Sequence, residues 1–165
     1  MKKKIKRENL IIPEAMCYFV QSGNAIFWLN NNCCNSINDN LEDTFKYKIE
    51  KAKHERIDDM YRVYLYVDDG VDMYNRQCGH YRYIGLWFYN SDSFVIEHRY
   101  KNCTRHYWPK SHRLIANLLC NIDDTSVTRG YNMYHCNICA VCGRELTKTS
   151  VEYIGPVCFK KLYRW

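Results

Sequence analysis

"TFKYKIEKAKHERIDDMYRVYLYV", residues 44 to 67, decides the fold class. In its first half Phe45, Tyr47 and Ile49 fall on one face and Lys46 and Lys48 on the other. Its second half repeats the pattern, with Val63, Leu65 and Val67 opposite Arg62, Tyr64 and Tyr66. A period of two marks strands that bury one face and show the other to water. Working outward, "NAIFWLN" (24–30) is another short strand-like run. "HYRYIGLWFY" (80–89) and "SFVIEHRY" (93–100) are joined by "NSD" as a hairpin, and "DDG" (68–70) reads as a turn. Past Pro109, Ser111 is placed to cap a helix in which Leu114, Leu118 and Ile122 recur at helical spacing, widened by Ile115 and Leu119. The expected fold is α+β: an antiparallel sheet of about five strands, one covering helix and a C-terminal metal module.

The chain has 165 residues, enough for one domain with a small appendage. Fifteen tyrosines suit strands and half-exposed surfaces. The net charge of +6 gathers at "MKKKIKR" and "KKLYRW", a balance that favours nucleic acid or an acidic protein surface. We divide the chain into a basic flexible tail (1–12), a sheet domain (13–130) and a zinc-binding module (131–165). Ten cysteines do not make a secreted disulfide framework here, because "MKKKIKRENLIIPEAM" breaks its apolar run at Pro13 and Glu14, unlike a signal peptide. No run approaches the roughly 18 apolar residues of a membrane helix. The expectation is a soluble protein of the cytoplasm.

The metal module is "HCNICAVCGRELTKTSVEYIGPVC", residues 135 to 158. "CAVC" brings two thiolates together across a tight turn, and Gly143 can take the positive φ that such knuckles need. In "IGPVC", Pro156 suits the first position of a helix, which places Cys158 in its first turn. A knuckle followed by a ligand on a helix start is a treble-clef-like or ribbon-like layout. Thiolate-rich sites select zinc over hard cations. Cys139, Cys142 and Cys158 are three ligands of one structural zinc, and His135 and Cys136 compete to be the fourth.

The motif "CAVCGRELT...SVEYIGPVC" resembles the C-terminus of an uncharacterised family of small phage and prophage proteins, which reads roughly C-x-x-C-G-R-x-L-T-x-P-x-S and then G-I-G-P-x-C. Those proteins often carry a histidine and three residues before the first cysteine. The resemblance implies His135, Cys139, Cys142 and Cys158 as ligands and, if the chain is phage-encoded, the host cytoplasm as its location. This chain lacks the proline of "L-T-x-P" and the first glycine of "G-I-G-P", and its connection is two residues shorter.

For a working surface, Lys46, Lys48, Arg62, Tyr64 and Tyr66 share one sheet face, and Tyr81 and Tyr83 join them if the alternation of "HYRYIG" holds. Interleaved rings and cations suit single-stranded nucleic acid. "TRHYWPKSHR" adds Arg105, Lys110 and Arg113 around Trp108. Cys103 and His106 have spacing for a second metal, although no acid is patterned with them. Three functions follow as expectations. The first is a non-enzymatic accessory protein that binds nucleic acid. The second is a phage inhibitor of a host defence complex such as a CRISPR effector, and the third a metal-dependent nuclease.

Overall fold

Alternation along the chain builds one continuous sheet. The computed structural model describes residues 9–31, 43–53, 59–71, 73–91, 93–96, 108–146 and 152–162. Its strands are β1 (Leu10–Ile11), β2 (Asn24–Asn31), β3 (Phe45–Lys51), β4 (Met60–Val71), β5 (Gln77–Phe88), β6 (Ser93–Ile96) and β7 (Tyr131–His135). They are antiparallel throughout, in the order β1-β7-β2-β3-β4-β5-β6. Among the described residues four α-helices accompany them: α1 (Pro13–Val20), α2 (Lys110–Cys120), α3 (Thr125–Thr128) and α4 (Pro156–Leu162).

Burial follows the pleat. Ala25, Phe27 and Leu29 of β2, Tyr47 and Ile49 of β3, and Tyr61 and Val63 of β4 face inward. Trp87 of β5 and Met133 of β7 join them. Against that face pack Met16, Phe19 and Val20 of α1 and Ile115, Leu118 and Leu119 of α2. Each large apolar side chain so buried contributes about 1.5–3 kcal/mol. Tyr47 keeps its hydroxyl satisfied by donating to the Ser111 carbonyl at 2.6 Å, tying β3 to the start of α2. Burial raises its phenol well above the ordinary tyrosine value.

The α+β class and strands β2 to β6 match the sequence reading, though residues 97–100 of the last run lie outside the described residues, and the described residues form seven strands rather than five. β1 is two residues long, too short to show a period, and begins inside the stretch read as a basic tail. β7 falls within the stretch assigned to the zinc-binding module (131–165), yet it belongs to the sheet. α1 was also missed, although Pro13 at its first position and Glu14 in its first turn are ordinary helix starts. "DDG" is not the turn between β4 and β5, because β4 runs through it to Val71. Ser111 is not the cap of α2. The helix begins at Lys110 after Pro109, whose carbonyl accepts the His112 and Arg113 N–H groups, and Ser111 is buried.

Candidate nucleic-acid interface and metal centre

The helices that share the main core lie on the inner face of the sheet, and the outer face carries the rings and cations. Cross-strand register sets them in transverse rows. Tyr134, Trp28 and Lys46 are direct neighbours on β7, β2 and β3, and Tyr66 faces Tyr81 across β4 and β5. The Lys46 ammonium joins the two groups, 4.8 Å from the Tyr66 ring centre, 5.5 Å from Trp28 and 5.9 Å from Tyr81. The next row runs Ile26, Lys48, Tyr64, Tyr83. There Lys48 lies 5.6 Å from the Tyr64 ring and 5.8 Å from Tyr81. The tyrosine pairs meet edge to face at 5.3 and 5.8 Å. Such contacts hold a cation over a ring without consuming its charge.

A third row places Glu50 opposite Arg62. The Glu50 carboxylate reaches Lys48 at 3.3 Å and Arg62 at 4.0 Å, so it offsets part of the positive field. Arg62 is exposed, while the lysines and the four tyrosines are half-buried. Burial, and then the neighbouring Cys136 and Tyr66, push the Tyr81 phenol up to about 12, so it stays a neutral donor at physiological pH. Gly79 explains how Tyr66 lies down: a Cβ there would sit 1.9 Å from the Tyr66 hydroxyl oxygen.

The structure therefore brings Lys46, Lys48, Arg62, Tyr64 and Tyr66 onto one surface with Tyr81 and Tyr83. It does not bring the second group to them. Trp108, Lys110 and Arg113 sit at the start of α2, on the helix side, where the Trp108 ring packs on Phe94 and Lys110 pairs with Asp43. Arg105, Cys103 and His106 lie outside the described residues. Sequence reasoning missed Trp28, Glu50 and Gly79. Alternation in "NAIFWLN" does place Trp28 opposite Phe27 and Leu29, so that signal was present.

At the other end, Cys139, Cys142 and Cys158 converge with their sulfurs within 4.8 Å of one another and could hold a metal ion. The local chain dictates this. Gly143 takes φ +77° and returns its N–H to the Cys139 carbonyl at 2.9 Å, closing the turn. Ile138 bridges Glu145 across the knuckle, and Pro156 opens α4 two residues before Cys158. Leu146, Val141 and Ile154 pack around the buried thiols. Asn24 docks the knuckle on β2, with its backbone N–H on the Ala140 carbonyl and its side-chain amide on that of Val141, both at 2.7 Å.

Burial raises the Cys139 thiol, but the Gly155, Cys142 and Val141 N–H groups outweigh it and bring the value down to about 7. The Gly155 N–H lies 3.2 Å from that sulfur. Burial, and then the Cys142 and Cys139 thiols, push Cys158 up to about 11. A cation set among the three sulfurs reverses such a rise.

His135 is not gathered with the thiols. It is in phase with Tyr131 and Met133 on β7, opposes Phe27, and turns its ring toward Phe19 and Tyr153. Its Nδ1 lies 2.9 Å from the Cys136 carbonyl. Among the described residues no other group of three histidine, cysteine or acidic side chains forms a metal-sized cluster. No described helix is long and apolar enough to cross a membrane. The chain matches no family model, no curated protein and no solved structure.

Proposed function

We propose that this protein binds single-stranded nucleic acid across the outer face of its sheet, without catalysing a reaction, as an accessory protein of the phage type. The observation that carries the reading is the seating of the Lys46 and Lys48 ammoniums among the rings of Trp28, Tyr64, Tyr66 and Tyr81. Bases stack on rings while nearby cations meet phosphates. Strands lie about 4.8 Å apart, so a row crossing five of them spans about 19 Å, room for three or four unstacked nucleotides. Anisotropy of a labelled oligothymidine tests this at low salt. Binding that falls as salt rises and weakens in Tyr66→Ala supports it. No shift with any DNA or RNA strand refutes it.

Zinc at Cys139, Cys142 and Cys158 is the second part of the proposal. Three thiol donors and a backbone N–H on one sulfur fit a soft tetrahedral cation. A knuckle followed by a ligand in the first turn of α4 fits a treble-clef-like module, with the ion as its staple. A chelator should loosen residues 137–162 and leave the sheet's circular dichroism largely intact. Loss of the whole sheet signal would defeat the staple role.

A second reading, an inhibitor that binds a host defence complex, draws on a different observation. The β4–β5 hairpin continues past β3 and exposes Val71, Met73 and Tyr74 at its tip, 61%, 88% and 70% accessible. Exposed apolar side chains gathered at one point suit a protein partner. Co-purification with a defence complex after nuclease treatment, lost in Met73→Asp, would favour this reading over the first.

A further inference from the structure

The metal motif supplies two residues that could complete a three-thiolate site, and the fold gathers neither with the three thiols. The His135 ring points into the packing between Phe19 and Tyr153 and lines a different cavity, with Asn9, Leu146 and Glu152. Cys136, one position on, gives its backbone N–H to the Ile26 carbonyl at 3.0 Å and stands outside the cluster of three thiols.

The thiols meet a cavity instead. It has a volume of about 380 Å³ and is bounded by Cys142, Cys158, Arg144, Glu145, Pro156 and Lys161. Cys142 is exposed, so the cluster opens on this side. A divalent cation with three thiolates carries a net charge of −1. An added anion makes that −2, and the Arg144 and Lys161 side chains at the rim oppose it while Glu145 adds to it.

We infer that a metal held by Cys139, Cys142 and Cys158 keeps its fourth position open to this cavity and takes an exchangeable anionic ligand there, with thiolates preferred. The inference rests on the zinc reading above. Water holds the position when no anion is present, and soft thiolates displace it best. The exchange is a simple substitution: a thiol enters as thiolate, its proton passes to solvent, and the water leaves.

Cobalt(II) in place of zinc tests this on the full chain, with 2-mercaptoethanol as the probe. The expected result is one cobalt per chain, with visible bands that shift saturably and a sulfur-to-cobalt charge-transfer band that grows as mercaptoethanol is added. The double variant Arg144→Glu, Lys161→Glu should weaken that titration several-fold while keeping the cobalt. His135→Gln and Cys136→Ser should bind cobalt with the parent spectrum. A cobalt spectrum that mercaptoethanol leaves unmoved shows that a side chain of this protein fills the fourth position and overturns the inference. So does loss of the metal in Cys136→Ser, or in His135→Gln that retains its circular dichroism. If the parent chain takes up neither cobalt nor zinc, the zinc reading fails with it, a result distinct from an inert spectrum.

Discussion

Glu50→Gln tests whether the outer face works by its charge. Glu50 stands 3.3 Å from Lys48 and 4.0 Å from Arg62, and the three side chains together carry one net positive charge. With Lys46 the face then presents two effective cations, and the substitution raises that to three. Half-exposed ion pairs of this kind are worth about 0–1 kcal/mol each, so the fold should survive with little change in melting temperature. A carboxylate about 4–8 Å from a bound phosphate repels it by about 0.5–1 kcal/mol in water-like surroundings. Its removal should tighten binding of a single strand about two- to fivefold at low salt. The slope of log affinity against log salt should steepen from about −1.4 to about −2.1. Anisotropy of a labelled oligothymidine at several salt concentrations reads both quantities. An unchanged slope, or weaker binding with an intact fold, would refute the assignment of the interface to this face.

Other outcomes follow from the same geometry. Gly79→Ala should lift the Tyr66 ring off the β5 backbone, because the new methyl would lie 1.9 Å from its hydroxyl oxygen, and weaken binding about two- to fivefold with no change in salt slope. Equal affinity in that variant would show that the placement of Tyr66 is not used. Tyr47→Phe should cost about 0.5–1.5 kcal/mol in urea unfolding, since it removes the buried hydrogen bond that the hydroxyl makes to the Ser111 carbonyl at 2.6 Å. Alkaline pH should destabilise the fold. Tyr81 and Tyr61 are both pushed up to about 12, so between about pH 10 and about pH 12 the unfolded chain sheds protons that the folded chain retains. Urea midpoints should fall over that window, less steeply in Tyr81→Phe, and a flat profile would contradict the burial of these phenols.

The central sheet was legible because its signal is local. Burial alternates along β2, β3 and β4, whereas a register shift in β5 buries Ile84 and Gly85 in succession, and the same alternation predicted that Lys46, Lys48, Tyr64 and Tyr66 share a face. The ends of the sheet were not legible. β1 shows no period in two residues, and its pairing with β7 joins residues more than a hundred positions apart. The knuckle was readable from "CAVC", Gly143 and Pro156, because each residue type answers a backbone need at its own position. The role of His135 was not, since it turns on which face of β7 meets the core. Treating "YNMYH" as a strand would have put His135 in phase with Tyr131 and Met133. The place of Trp108 and Lys110 depended on where α2 docks, a packing outcome that spacing does not encode.

The position of β7 has a consequence for how the molecule is made. The strand is inserted between β1 and β2, and it pairs with both. A growing chain that has emerged only through residue 130 therefore has no partner for β1 and leaves one edge of β2 open, with the Phe27 and Leu29 face incompletely covered. Completion of the sheet waits for residues 131–135, which are followed directly by the cysteine knuckle docked on Asn24. β1 can be locked only after a strand made more than a hundred residues later, so two distant segments of the sequence are secured in one event.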